Sequence, residues 1–314
     1  MQLRQALTIA MIGAATAAFI PASATAGEPG AETAPPETSP EAKPDHRRRY
    51  VPPITNPIYN ETARITTELR PFYMYHSIPG SFVTNGGHAH IVAVQARAAI
   101  TERLGFIATK DGYADLHFPD SSPVSDDNDF VNIAAGFKYA VYHDPEKDAF
   151  FTIGLRYEAP TGSLDAGPIE LQGGGDGFIN VFVTGERRIG ERVGVQSSFG
   201  LNQAVDSGHD SSFVHWSFHG DVEVIKNVFG IFEFNMISNS DNGDRTDSDA
   251  LGSFEGFDVV NFGSTDSGTV FSAGFGARAR ITDNILFGVA YEVPVGGRKD
   301  LLDYRWTTDF VFVM

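Results

Sequence analysis

From about Ala63 to Met314, polar and apolar side chains alternate with a period of two in one segment after another. Only a pleated strand puts successive side chains on opposite faces, so the pattern demands strands with one wet side and one dry side. In Val214 to Val224 the apolar set is Val214, Trp216, Phe218, Val222 and Val224, opposed by His215, Ser217, His219, Asp221 and Glu223. In the last segment Tyr304, Trp306, Phe310 and Phe312 oppose Arg305, Thr307 and Asp309. Phe271, Ala273, Phe275, Ala277 and Ala279 oppose Ser272, Gly274, Gly276, Arg278 and Arg280, and Ile285, Phe287, Val289, Tyr291 and Val293 oppose Gly288, Ala290 and Glu292. No stretch beyond the first residues sustains helical spacing as well.

Short and long connections take turns between these segments. The short ones are 101–104, 143–147, 190–192, 226–227 and 282–284. The long ones, rich in Gly, Ser and Asp, fall at 79–87, 119–129, 160–177, 206–212, 238–268 and 295–303. This predicts about twelve strands with both chain ends on the short-turn side. A soluble β-sandwich also alternates, but it has no reason to place all its long loops at one end. An even strand number, short turns on one side, long loops on the other and aromatics at the ends of an apolar band describe an outer-membrane barrel. The predicted fold class is therefore all-β, a transmembrane antiparallel up-and-down β-barrel with short periplasmic turns and long extracellular loops.

The N-terminus fits an exported protein. Arg4 precedes an apolar stretch from Ala6 to Ile20, Pro21 interrupts it, and Ala24-Thr25-Ala26 has the small-x-small form that a signal peptidase cuts. Residues 1–26 read as a signal peptide cleaved near Ala26, with an uncleaved anchor as the alternative. The chain has no cysteine, which rules out a lipoprotein signal, a disulfide and a thiolate metal site. Residues 27–60 carry Pro35-Pro36, Pro40, Pro44, Pro52-Pro53 and Pro57 and read as a disordered periplasmic linker. His46-Arg47-Arg48-Arg49-Tyr50 forms a basic knot in it, either a solvated tether, a contact for an anionic partner or a plug for the lumen. Residues 61–314 form the barrel. Removing Arg4 with the leader leaves 22 basic against 40 acidic side chains, and so acidic a chain lacks the basic face that nucleic acid requires. The C-terminal strand, aromatic at alternate positions up to Phe312, is the kind of segment that barrel-assembly machinery reads, although Met314 replaces the usual final aromatic.

Several stretches resemble the phenol-degradation (meta-pathway) family of outer-membrane transporter barrels. They are Ile54-Thr55-Asn56-Pro57 with Ile65-Thr66-Thr67-Glu68 and Arg70, Ala108-Thr109-Lys110-Asp111-Gly112-Tyr113, Tyr157-Glu158-Ala159-Pro160-Thr161-Gly162, and Val260-Asn261-Phe262-Gly263. The resemblance implies a barrel and uptake of hydrophobic or small solutes. It transfers no site residues.

Among chemistry-bearing groups, His215-x-Ser217 with Asn235 on the following strand is similar to the catalytic set of outer-membrane phospholipase A. A nucleophile there needs a His nitrogen in reach of the Ser oxygen and a third group orienting the ring. Ser217 lacks that family's following Asn-Gly, and His215 and Ser217 oppose the apolar face where lipid would lie. The competing reading is a polar row lining the lumen. His88-x-His90 places two imidazoles on one strand face, too few for a metal site, and Asp241, Asp244, Asp247 and Asp249 around Gly243 lack the spacing of a calcium loop. No metal or cofactor is assigned. Pore-lining candidates are His215, Ser217, His219, Asp221, Glu223, Glu233, Arg278, Arg280, Glu292, Arg305 and Asp309, joined on the polar face by Glu68, Arg70, Arg97, Lys138, Arg156, Glu158, Glu186 and Arg188. The expectation is a passive outer-membrane channel or uptake porin for small solutes. A lipid-active hydrolase and a non-conducting structural or adhesive barrel are the alternatives. Expected partners are outer-membrane lipid and lipopolysaccharide, the barrel-assembly machinery and a small-molecule solute.

Overall fold

The computed structural model describes residues 49–246, 255–266 and 268–314; the proposed signal peptide, residues 27–48 of the proposed linker, and Asp247 and Asp249 lie outside them. The described strands are β1 (Glu68–Ile78), β2 (Gly87–Ala99), β3 (Leu104–Lys110), β4 (Tyr113–His117), β5 (Asp127–Phe130), β6 (Ile133–Asp144), β7 (Ala149–Ala159), β8 (Asp165–Ala166), β9 (Ile169–Glu170), β10 (Phe178–Ile189), β11 (Val193–Ala204), β12 (Ser212–Ile225), β13 (Val228–Asp241), β14 (Thr269–Thr282), β15 (Ile285–Val295) and β16 (Tyr304–Val313). β3 and β4 pair with successive halves of β2 and so make one stave, broken at Asp111-Gly112. β5 and β6 make another, pairing with β4 and β3 in turn. β8 and β9 form a small hairpin within a long loop. Counted as staves, the wall has twelve antiparallel members, and it closes because β1 pairs with both β2 and β16. Closure matters because hydrocarbon offers no water to an unpaired strand edge.

Side-chain direction follows the alternation. On β7, Thr152, Arg156 and Glu158 are buried inward while Ile153, Leu155 and Tyr157 are exposed on the outside. On β2, Gln95 and Arg97 face in, and Val92 and Val94 face out. The outer face is thus apolar and the inner face charged, the reverse of a soluble sandwich. Aromatic side chains gather near both ends of the outer band. Tyr75, Tyr304, Tyr291 and Trp306 pack together towards the long loops, and Phe287, Phe310 and Phe312 towards the short turns.

A charge on the outer band should therefore be costly. Leu155→Arg is expected to destabilise the folded barrel in lipid by about 2–4 kcal/mol if Leu155 sits near the bilayer midplane. Urea titration of the protein in phospholipid vesicles measures this.

Candidate functional site

The inside of the barrel is not an open tube. Every residue from Tyr50 to Arg64 is buried, and the segment folds into the lumen from the short-turn mouth. The sequence places residues 50–60 in a disordered linker, whereas in the structure they are buried inside the barrel. Composition shows correctly that a Pro-rich segment cannot form a core by itself, but this one borrows the polar wall around it.

The path can be followed from contact to contact. Arg49 pairs with Asp148 at 2.5 Å and donates to the Gly190 carbonyl, both at the short-turn end. Glu233 of β13 accepts the backbone N–H groups of Ile54 and Thr55 at 2.8 and 2.6 Å. The segment then turns at Asn56, whose carbonyl accepts from the N–H groups of Tyr59 and Asn60 and whose φ is 47°. Tyr59 at this apex packs on Phe213 and His215. On the way back Glu61 pairs with Arg97 at 2.7 Å and Lys138 at 2.8 Å, and Arg64 pairs with Glu186 and, at 3.5 Å, with Asp148. Asp148 therefore touches both ends of the inserted segment.

The segment's backbone suits its surroundings. Proline has no N–H to satisfy, so a Pro-rich stretch carries more acceptors than donors. The wall carries the matching donors. Arg280 donates to the Tyr50 carbonyl at 2.7 Å, Arg278 to that of Pro53 at 3.4 Å, Arg70 to that of Ile54 at 3.5 Å and Gln95 to that of Pro57 at 2.7 Å. Arg156 donates to the Ile58 carbonyl and lies over the Tyr59 ring.

From the opposite mouth the long loops fold inward. Asp258 reaches Arg305 at 2.7 Å, beside the Arg305–Glu292 pair, and Phe257 joins Ile58, Tyr59, Phe213 and Leu302 in an apolar cluster. Above it lies a cavity of about 60 Å³ lined mainly by apolar groups, including Ile78, Phe82, Leu116, Leu164, Phe262 and Leu301. The loop carrying Leu301 is tied down by His76, whose Nε2 lies 2.7 Å from the Leu301 carbonyl, and by the Asp303 N–H donating to Ser77.

His215, Ser217, His219, Asp221, Glu233, Arg278, Arg280, Glu292, Arg305 and Asp309 are all buried and point inward. Glu223 is at the short-turn end, where it accepts from the Asn227 N–H. Ser217 and Asn235 are cross-strand partners, but no hydrogen bond joins His215 to Ser217 among the described residues. His215 Nε2 meets Asn180 instead, Ser217 accepts from Asn56, and Asn235 donates to Thr55 and Glu292. The set is not assembled for nucleophilic attack, and the inserted segment covers it. His219 lies 2.7 Å from Glu233 and 3.6 Å from Asp221, which fixes the carboxylate that grips Ile54 and Thr55. Sequence reasoning missed Glu61, Asp148, Tyr59 and Asp258. One signal was available: the apolar and aromatic residues Tyr50, Val51, Ile54, Ile58 and Tyr59 gather at the end of the Pro-rich stretch.

No family model matches the chain, and no curated protein matches it. Sequence comparison therefore gives no support to the resemblance to phenol-degradation transporters. Solved structures do match. An outer-membrane channel from Pseudomonas putida F1 aligns at 12% identity and TM-score 0.55, covering 81% of this chain and 97% of that one. The NanC porin aligns at 9% identity and TM-score 0.47, covering 79% and 99%. The transport unit of the Escherichia coli autotransporter AIDA-I aligns at 11% identity and TM-score 0.47, covering 79% and 90%. Identity this low speaks for a shared barrel fold and nothing finer.

Two outcomes follow from the charges. Glu61→Gln leaves Arg97 and Lys138 buried without their shared carboxylate and should cost about 3–5 kcal/mol, as breaking a buried pair does; denaturant titration and protease sensitivity at residues 50–64 report it. Asp300, in the loop over the apolar cavity, is pushed up from the ordinary 3.8 to about 7 by burial, against the pull of Arg298. Its proton is bound more tightly in the folded loop, so that stabilisation is complete below about pH 4 and is lost as pH rises through 7. Protection factors of amides 296–303, which remove the intrinsic pH dependence of exchange, should fall over that range, and Asp300→Asn should flatten the dependence.

Proposed function

We propose that this chain is an outer-membrane channel for small solutes, closed at rest by its own segment 50–64. The observation that carries the reading is that the lumen is blocked by a piece of chain belonging to no stave. Side-chain contacts and carbonyl acceptors hold it, and both its ends are at one mouth. A permanently filled barrel could have used bulkier wall residues instead. The apolar outer band and the features of residues 1–26 support residence in the outer membrane after export, with lipid and lipopolysaccharide around the wall and the last strand as the signal for assembly.

Solute class follows from the two halves of the lumen. A solute arriving from the loop side first meets the cavity around Phe82, Leu116, Phe262 and Leu301, which favours a small apolar or aromatic molecule. Beyond it, passage requires the segment to withdraw and expose the mixed ring of Arg and Glu, where width and charge select what continues. The hydrolase alternative has no assembled catalytic set to support it.

Because the chain has no cysteine, an engineered pair is the only thiol pair present. A Cβ built at Gly274 would lie 3.4 Å from that of Thr55, close to the span of a disulfide. In planar bilayers, Thr55→Cys/Gly274→Cys should be silent when oxidised and should open in discrete steps when reduced, as should a variant lacking residues 27–64. Equal conductance in both redox states would show that the segment does not gate. Silence of a folded barrel with and without the segment would leave the structural or adhesive reading.

A further inference from the structure

On the outer wall, at the long-loop end, β2 and β4 bring together residues that are 25 or more positions apart in sequence. His88 pairs across the strands with His117, and His90 with Asp115. All four side chains point outward, because the neighbours Ala89, Ile91, Ala114 and Leu116 are the ones buried inside. Cross-strand partners on one face lie about 5 Å apart at Cβ, so the four form a compact square. One nitrogen from each of the three imidazoles already lies within 4.8 Å of the others. A tetrahedral zinc site with Zn–N bonds of about 2.0–2.1 Å needs ligand atoms about 3.3 Å apart, an adjustment within reach of half-exposed rings.

The other ring nitrogens also have partners. Tyr73 Oη lies 2.7 Å from His90 Nδ1, which makes Nε2 the His90 nitrogen available to a metal. His117 Nδ1 lies 3.5 Å from an Asp126 carboxylate oxygen, while its Nε2 sits 3.1 Å from Asp115 Oδ2. A hydroxyl or carboxylate on the far nitrogen is what orients a metal-bound histidine; Asp115 reaches only His117 of the three rings, so the fourth position falls to water. We propose that His88, His90 and His117 bind one divalent transition-metal ion of zinc type, with water in the fourth position. Tyr73 and Asp126 act as positioning residues. The ion would tie the end of β2 to β4 and to the following loop, just above the apolar outer band.

Titration of the chelator-treated full-length chain, folded in detergent, tests it. Zn²⁺ is expected to bind one per chain, and Co²⁺ to give the visible absorption of a tetrahedral ion that Zn²⁺ then displaces. His117→Ala should abolish the Co²⁺ signal, and Tyr73→Phe should weaken binding by about 10- to 100-fold, the usual effect of losing an orienting partner. These side chains face outward, so circular dichroism of each variant should match the parent and separate lost binding from lost folding. No Zn²⁺ uptake by the folded parent would overturn the proposal. So would Zn²⁺ binding that survives His88→Ala/His117→Ala, or its displacement by equimolar Ca²⁺, which would place the ion in the acidic loop instead.

Discussion

A guanidinium or carboxylate withdrawn from water costs several kcal/mol unless a partner meets it, and this barrel turns a ring of them inward. The wall alone resolves part of that cost: Asp309 serves Arg70 and Arg278, and Asp221 serves Arg188. Other inward groups are met by the inserted segment as well. Lys138 has Glu61, Arg280 has the Tyr50 carbonyl, and Arg156 has the Ile58 carbonyl beside its contact with Asn180. The inserted segment is thus the complement of the wall. Its prolines take part in this, since a backbone poor in N–H groups brings carbonyl acceptors within reach of the wall's guanidinium groups.

The lumen is consequently divided by chemistry. Its lower part is a lattice of ion pairs and carbonyl contacts around residues 50–64, and its upper part an apolar cavity roofed by the loops. The divide falls where Tyr59 meets Phe213 and Phe257 in one apolar cluster. Gly288 shows how closely the lower part is fitted: a Cβ there would press on Asp309, Ile54 and Arg278 at once, within about 3 Å of each. Close polar fit below and apolar shelter above meet at Tyr59.

Much of the wall was legible in the sequence because strand alternation is local and repeats many times. The facing of Arg278, Arg305 and Asp309 follows from counting by two, and the loop asymmetry follows from where Gly, Ser and Asp accumulate. What fills the wall was not legible. Pro52, Pro53 and Pro57 signal disorder in any setting where the segment must provide its own core, and only the closed barrel supplies the missing partners. The same limit hid the third histidine. His88-x-His90 is visible as a pair, but His117 joins it through the β2–β4 register, which resumes only after the break at Asp111-Gly112. Long-range register is a tertiary property, whereas alternation is not.

Asp148 touches Arg49 and Arg64, the two ends of the inserted stretch. That stretch is consequently a re-entrant hairpin and not a strand passed end to end through a ring. In topological terms the closed wall and its contents are unlinked: no free terminus has to be drawn through the barrel for the lumen to fill or to empty. Closing the β1–β16 seam and filling the lumen are thus separate matters: the stretch is held through wall side chains, and the backbone ladder that joins stave to stave does not run through it.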